Sequence, residues 1–252
     1  MGIGDDLIWL GDAYNLHTAT QQKIKPTRRR KPLHIKPLWQ NEPYISTQGT
    51  VELDELIPHK SDWSRPYAVG NPDYKPTAQP VTLTPEELEL TYKLREHEPY
   101  CILCVDTKET THSTNKTWPK EYYEELAQLL PLKCIRLQHN TDNTQYSNID
   151  NVVVNSERES YCYVRSATLV VTTDGFLHHC SASANTKCAV IWTVTSFQQL
   201  GYRGQLNIYD KSHLGCYTYR EQCAKCSEIL RKITPETVVE QLKRVGWINQ
   251  ER

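Results

Sequence analysis

The sequence predicts an α/β fold with a doubly wound parallel sheet, and three observations carry that expectation. From Tyr100 onward, short apolar runs alternate with amphipathic segments, the pattern of strands joined by crossover helices. Two motifs, Asn115-Lys116-Thr117-Trp118-Pro119 and Thr173-Asp174-Gly175-Phe176-Leu177-His178, each set polar groups between an apolar run and a helical pattern. Eleven of the fourteen prolines lie between Pro26 and Pro99, which confines regular structure mostly to the rest.

In chain order, Asp5 to about Gln22 reads as a helix with Leu7, Leu10, Tyr14 and His17 on one face. The proline-rich stretch is expected to be irregular chain without central strands. Thr84-Pro85-Glu86-Glu87 is a helix start, with Thr84 capping, Pro85 at the first helical position and Glu87 completing a capping box. That helix should run to about Glu98. Strands are expected at Tyr100–Val105, Cys134–Leu137, Val152–Val154, Thr168–Thr172, Cys188–Trp192 and Leu206–Tyr209. Helices are expected at Pro119–Leu130 (Tyr122, Leu126, Leu129 and Leu130 inward), Glu157–Ser166, Phe176–Ala184 and Pro235–Val245. Two parts follow, 1–98 and 99–252.

With 252 residues the chain can bury a core without disulfides. A formal charge of −1 excludes a partner chosen by global charge, so any polyanion must meet a local patch. Nine cysteines without a secreted-scaffold spacing, no signal-like N-terminus and no apolar stretch long enough for a bilayer point to a reduced, cytoplasmic setting.

Both junction motifs sit where open α/β sheets bind nucleotides, because backbone N–H groups and the helix dipole converge there on an anion. Lys116 can neutralise a leaving diphosphate, or simply be a solvated loop lysine. Trp118 is a candidate hydrophobic staple. Asp174 can accept from ribose hydroxyls or cap its own turn, Gly175 suits a positive φ or a close ligand approach, and His178 lies beside the same mouth. At the start, Gly2-Ile3-Gly4-Asp5-Asp6 lacks the third glycine of a dinucleotide fingerprint, since Leu7 stands there. An acid there would repel phosphate, so Asp5, with Asp6 as rival, is a candidate base facing an acceptor hydroxyl, or else a helix cap.

Lys23 to Lys36 holds seven Lys/Arg residues, Arg28, Arg29 and Arg30 among them, with no acid between Asp12 and Glu42: a phosphate contact or a solvated loop. His213, Cys216, Cys223 and Cys226 match a structural zinc set in type, with free thiols or one local disulfide as the alternatives.

Taken in order, Gly4-Asp5, Lys116-Thr117-Trp118-Pro119 and Asp174-Gly175-Phe176-Leu177-His178 resemble glycosyltransferase family nine, the heptosyltransferase group. The later Cys-x2-Cys and the closing Thr-Pro-Glu-Thr-Val-Val helix are similar too. The resemblance covers Pro99–Gly246 and the first dozen residues. It implies a GT-B architecture, from which this chain departs: the proline-rich stretch allows too few strands for a full N-terminal domain, so the acceptor side is expected to be reduced or rebuilt. The resemblance also implies inverting, metal-independent transfer from a nucleotide-diphosphate sugar. Asp5 would be the base, Lys116 would hold the diphosphate, and Thr173, Asp174, Gly175 and His178 would line the donor site. The acceptor is read from charge and not from the resemblance: Gly4 and the basic run with Arg28, Arg29 and Arg30 are assigned to an anionic acceptor, a glycan of lipopolysaccharide type or a hydroxymethylated base in phage DNA. Two other readings stay open: a protein that binds a nucleotide or glycan without catalysis, and a zinc-stabilised nucleic-acid-binding module. No cofactor beyond the co-substrate and that zinc is expected.

Overall fold

The computed structural model describes residues 3–28, 31–54, 73–104, 115–138, 144–213, 215–217 and 221–249. Six strands form one all-parallel sheet: β4 (Tyr100–Leu103), β5 (Lys133–Gln138), β6 (Asp150–Val153), β7 (Leu169–Thr173), β8 (Cys188–Ile191) and β9 (Leu206–Ile208). Their order across the sheet is β6-β5-β4-β7-β8-β9. The chain starts in the middle at β4, builds outward to β6, then returns to lay β7 on the other flank of β4. That reversal is the topological switch point of a doubly wound sheet.

Burial explains the strand sequences. Every residue of β4, β7 and β8 is buried, as a parallel sheet covered on both faces requires. Successive side chains point to opposite faces. Ile102, Ile135, Val170 and Val190 join one core cluster, while Cys101, Leu103, Leu169, Val171, Ala189 and Ile191 join the other. The second cluster is closed by α3 (Lys120–Leu129), α7 (Ala224–Lys232) and α8 (Pro235–Arg244). Trp118 is the expected staple: it precedes the cap residue Pro119 and meets Tyr123, four residues into α3, edge to face with ring centroids 4.9 Å apart.

The first cluster is closed by α4 (Glu157–Ser166) and α5 (Phe176–Ala184), and it continues into the N-terminal part. Helix α1 (Ile3–Thr20) packs on α5, and α2 (Pro85–Glu96) packs on α4. The capping box of α2 forms as the sequence dictates, with the Glu87 N–H on Thr84 Oγ1 at 3.3 Å and the Thr84 N–H on Glu87 Oε2 at 2.8 Å. Trp9 of α1 stacks on Trp39 at 4.1 Å, in a short 3-10 turn over Pro37–Trp39. Arg158, 5% exposed, ties these pieces together. It donates to both carboxylate oxygens of Glu87 at 2.6 Å, to Pro37 O at 3.0 Å and to Thr82 O at 2.7 Å. The N-terminal part therefore shares its core with the helices on one face of the sheet.

Four expectations need correction. The proline-rich stretch is not merely irregular: β1 (Ile24–Arg28) is the middle strand of a small sheet, antiparallel to β2 (Lys31–Pro32) and parallel to β3 (Val51–Asp54). Pro26 is tolerated there because it serves the ladder through its carbonyl, which accepts from the Leu33 N–H at 3.0 Å. Helix α1 already runs from Ile3 rather than from Asp5, so Gly4, Asp5 and Asp6 all lie in its first turn, and its first half is buried nearly all round while Tyr14 is exposed. On α3 the inward face is Tyr123, Leu126, Ala127 and Leu130, with Leu129 outside. Pro119 caps that helix instead of opening it. Among the described residues no helix is long and apolar enough to cross a membrane.

Candidate functional site

The chains leaving β4 and β7 flank the switch point, and each carries one of the two sequence motifs. Lys116 stands on the first and Asp174 on the second. The Lys116 ammonium lies 2.5 Å from Asp174 Oδ2 and 3.3 Å from the Asp174 carbonyl oxygen. Thr195, beyond the end of β8, donates its hydroxyl to the same Oδ2. Asp174 is 3% exposed, so its charge is held by a cation and a hydroxyl instead of water. Asp174 thus fixes where the ammonium points.

The turn into α5 is built by His178. Its Nδ1 accepts the Gly175 N–H at 3.1 Å, so the ring proton belongs on Nε2, which faces the carbonyl oxygen of Leu200 in the short helix α6 (Phe197–Leu200) at 3.3 Å. The ring is then neutral, and its 3.4 Å approach to Asp174 Oδ1 is a contact, not an ion pair. His178 is fully buried. Gly175 has φ 178°, an extended backbone that any residue adopts, so the positive-φ expectation fails. Among the described residues a Cβ built there meets only Thr173 O, at 3.9 Å, so they leave the space open. Thr173, the last residue of β7, is buried beneath this turn.

The N-terminal candidates reach the same region from α1. A Cβ on Gly4 would sit 2.8 Å from His179 Cδ2 and 3.4 Å from Phe176 Cα, so the absent side chain lets α1 dock at the first turn of α5. Asp5 follows, half-buried. Asp6 is committed elsewhere: its Oδ1 takes the Lys36 ammonium at 2.5 Å, and its carbonyl takes Trp39 Nε1–H at 3.1 Å. Of the basic run, Arg28 ends β1, while Arg29 and Arg30 lie outside the described residues. The four metal candidates, in the stretch after β9 and at the start of α7, do come together: one ligand atom from each of His213, Cys216, Cys223 and Cys226 lies within 4.8 Å of all the others.

Sequence reasoning missed three contributors. Thr195 was findable, since it follows an apolar strand as Asp174 does. Asn115 is wholly buried and binds backbone on both sides of its amide. Asp12, on the α1 face that carries Asp5, accepts from the Tyr74 hydroxyl at 3.1 and 3.3 Å, and burial pushes its carboxyl up to about 6. A surface groove between α3 and α8, lined by Leu129, Val239 and Lys243 among others, contains none of these residues.

The fold and site define a doubly wound α/β protein with a cation held at the switch point. The sequence matches no family model and no curated protein. Among solved structures the chain is similar to the Escherichia coli ADP-heptose lipopolysaccharide heptosyltransferase II, at 16% identity and TM-score 0.49 over 66% of this chain and 53% of that one. It is similar as well to a family 9 glycosyl transferase from Veillonella parvula, at 11% and 0.49 over 67% and 54%. The third is E. coli heptosyltransferase WaaC with ADP, at 14% and 0.44 over 62% and 47%. The chain spans about half the length of these proteins.

Proposed function

We propose that this chain is a glycosyltransferase that moves a sugar from a nucleotide-diphosphate donor to an acceptor hydroxyl, with inversion and without a catalytic metal. The observation that carries the reading is the Lys116 ammonium, aimed by Asp174 across the switch point beside the N-terminus of α5. A diphosphate is the ligand that such a place suits: the ammonium and the first-turn N–H groups of α5 both favour negative charge, and no polar group need reorganise. The motif resemblance points the same way. In this reading residues 99–252 hold the donor and residues 1–98 the acceptor side.

The chemistry assigned to the residues is economical. The acceptor oxygen bonds to the anomeric carbon as the bond from that carbon to the diphosphate oxygen breaks. Asp5 takes the acceptor proton, and the electron pair leaves on the diphosphate, where Lys116 compensates it. Asp174 and Thr195 are positioning residues for Lys116, and His178 positions Gly175. The basic hairpin of β1 and β2 is assigned to an anionic acceptor, a phosphorylated saccharide first.

A panel of nucleotide-diphosphate sugars tested for thermal stabilisation checks the reading, because a ligand that binds only the folded state raises apparent stability by mass action. One nucleotide series should raise Tm, with the effect reduced in Lys116→Ala. No shift with any donor at millimolar concentration would overturn it.

A further inference from the structure

We propose that His213, Cys216, Cys223 and Cys226 form a structural zinc site that clips the loop after β9 onto the Asn115–Lys116 loop. His213 Nε2 lies 3.2 Å and Cys216 Sγ 3.4 Å from Cys226 Sγ, and the four ligand atoms are mutually within 4.8 Å. With metal–sulfur bonds of about 2.3 Å and metal–nitrogen bonds of about 2.0 Å, a tetrahedron has edges of roughly 3.5–3.8 Å. The observed spacing needs only small adjustment to reach that. It is far too long for a disulfide, whose sulfurs sit about 2.05 Å apart. Three thiol sulfurs and an imidazole are a soft donor set that selects zinc over oxygen-seeking cations.

None of the described residues between Tyr209 and Lys225 is fully buried, and Tyr217 is half-buried against the core. Yet the path of this loop is constrained. Gly215 takes φ +98°, and a Cβ there would lie 2.9 Å from the Thr195 carbonyl carbon. Tyr217 adopts φ 53°, an unfavourable conformation for a non-glycine residue, while its N–H bonds Val194 O at 2.8 Å. Cys223 and Cys226, three residues apart at the start of α7, share a helix face. A metal linking that face to His213 and Cys216 adds a cross-link to these contacts.

The far side of the clip is Asn115. Its Nδ2 donates to Glu221 O at 2.8 Å, its Oδ1 accepts the Cys223 N–H at 2.8 Å, and its carbonyl takes the Thr193 hydroxyl at 2.6 Å. The metal loop therefore bonds the residue next to Lys116. Nothing in this assignment depends on the reaction proposed above.

The test is elemental analysis of the full chain purified without chelator, followed by amide hydrogen exchange before and after metal removal with a thiol-blocking mercurial and chelator. About one zinc per chain is expected, falling at least about tenfold in the Cys216→Ser/Cys223→Ser variant. Cobalt substitution should give thiolate charge-transfer bands. Exchange at 115–118 and 221–226 should rise at least about tenfold on metal removal, while that of the central strands stays unchanged. Zinc below about a tenth of an equivalent in the parent protein, or recovery of a Cys216–Cys226 disulfide from a non-reduced digest, would overturn the site. Stoichiometric zinc with unchanged exchange at 115–118 would overturn the clip. Both readouts come from the parent chain, so a variant that fails to fold does not decide the matter.

Discussion

Lys116 and Asp174, 58 residues apart, meet at 2.5 Å across the switch point with side chains 12% and 2% exposed. Each is the condition for burying the other. Lys116→Ala should therefore do more than remove the proposed diphosphate contact: it strands a carboxylate and should cost about 3 kcal/mol of stability. Urea unfolding of Lys116→Ala, Asp174→Asn and the double variant separates the roles. The double variant should recover much of the stability and none of the donor turnover. Additive losses in stability would mean that the pair is not coupled.

Gly175 gives a cleaner probe of the proposed donor site. The described residues leave room for a methyl group there, so Gly175→Ala should fold with a loss under about 1 kcal/mol, the cost of a poorer helix cap. If a diphosphate lies against this backbone, the same methyl should raise the donor KM by about tenfold or more, through contacts worth roughly 1.4 kcal/mol per decade. Unchanged kinetics would place the donor elsewhere.

Asp5 and Asp6 should separate by function. Asp5→Asn is expected to lower kcat at least about a hundredfold with donor affinity kept, as loss of a general base does. Asp6→Asn breaks the ion pair with Lys36 and should cost about 1 kcal/mol of stability with little effect on kcat. Reversed outcomes in steady-state kinetics would transfer the base role to Asp6, and two silent variants would remove it from this turn.

Asp12 makes a prediction about pH. Burial raises its carboxyl from 3.8 to about 6 in the folded protein, so between those values the folded state binds more protons than the unfolded one. Its contribution to stability is present below the unfolded value and lost as pH rises through the folded one. Asp12→Asn, which keeps an acceptor for Tyr74, should raise Tm at pH 7.5 by on the order of a few degrees and flatten the decline between about pH 4 and pH 6. Thermal melts across that range check it. A lower Tm for the variant at pH 7.5 would show that the ionised carboxylate is favourable.

The legible parts of this chain were those with local causes. The capping box of Thr84 and Glu87, the staple of Trp118 and the bounds of α4 and α5 each follow from residues within one turn. The sheet was legible because a strand buried on both faces leaves no other pattern than a continuous apolar run. The hairpin at Pro26 was not, since a strand needing only a carbonyl looks like a strand that cannot form. Helix α7 went unseen because its apolar residues, Ile229 and Leu230, are outnumbered by Lys225, Arg231, Lys232 and the cysteines. The partners of Asp174 were half legible: Lys116 announced itself by motif, whereas Thr195 became a neighbour only once β8 lay beside β7. The convergence of His213 with the three cysteines was legible in residue type and not in distance, because the intervening chain gives spacing no fixed shape.

Arg158 sets a rule for how this molecule can be taken apart. One guanidinium plane gathers Glu87, Pro37 and Thr82, so what looks like a seam in the sequence near Pro99 runs through sealed interior. Polypeptides ending and beginning there would each expose a raw apolar wound and should precipitate when made singly. Made together in one cell they should anneal into a nicked but complete protein, which would make the Glu98–Pro99 bond a natural place to build a split, conditionally assembled version.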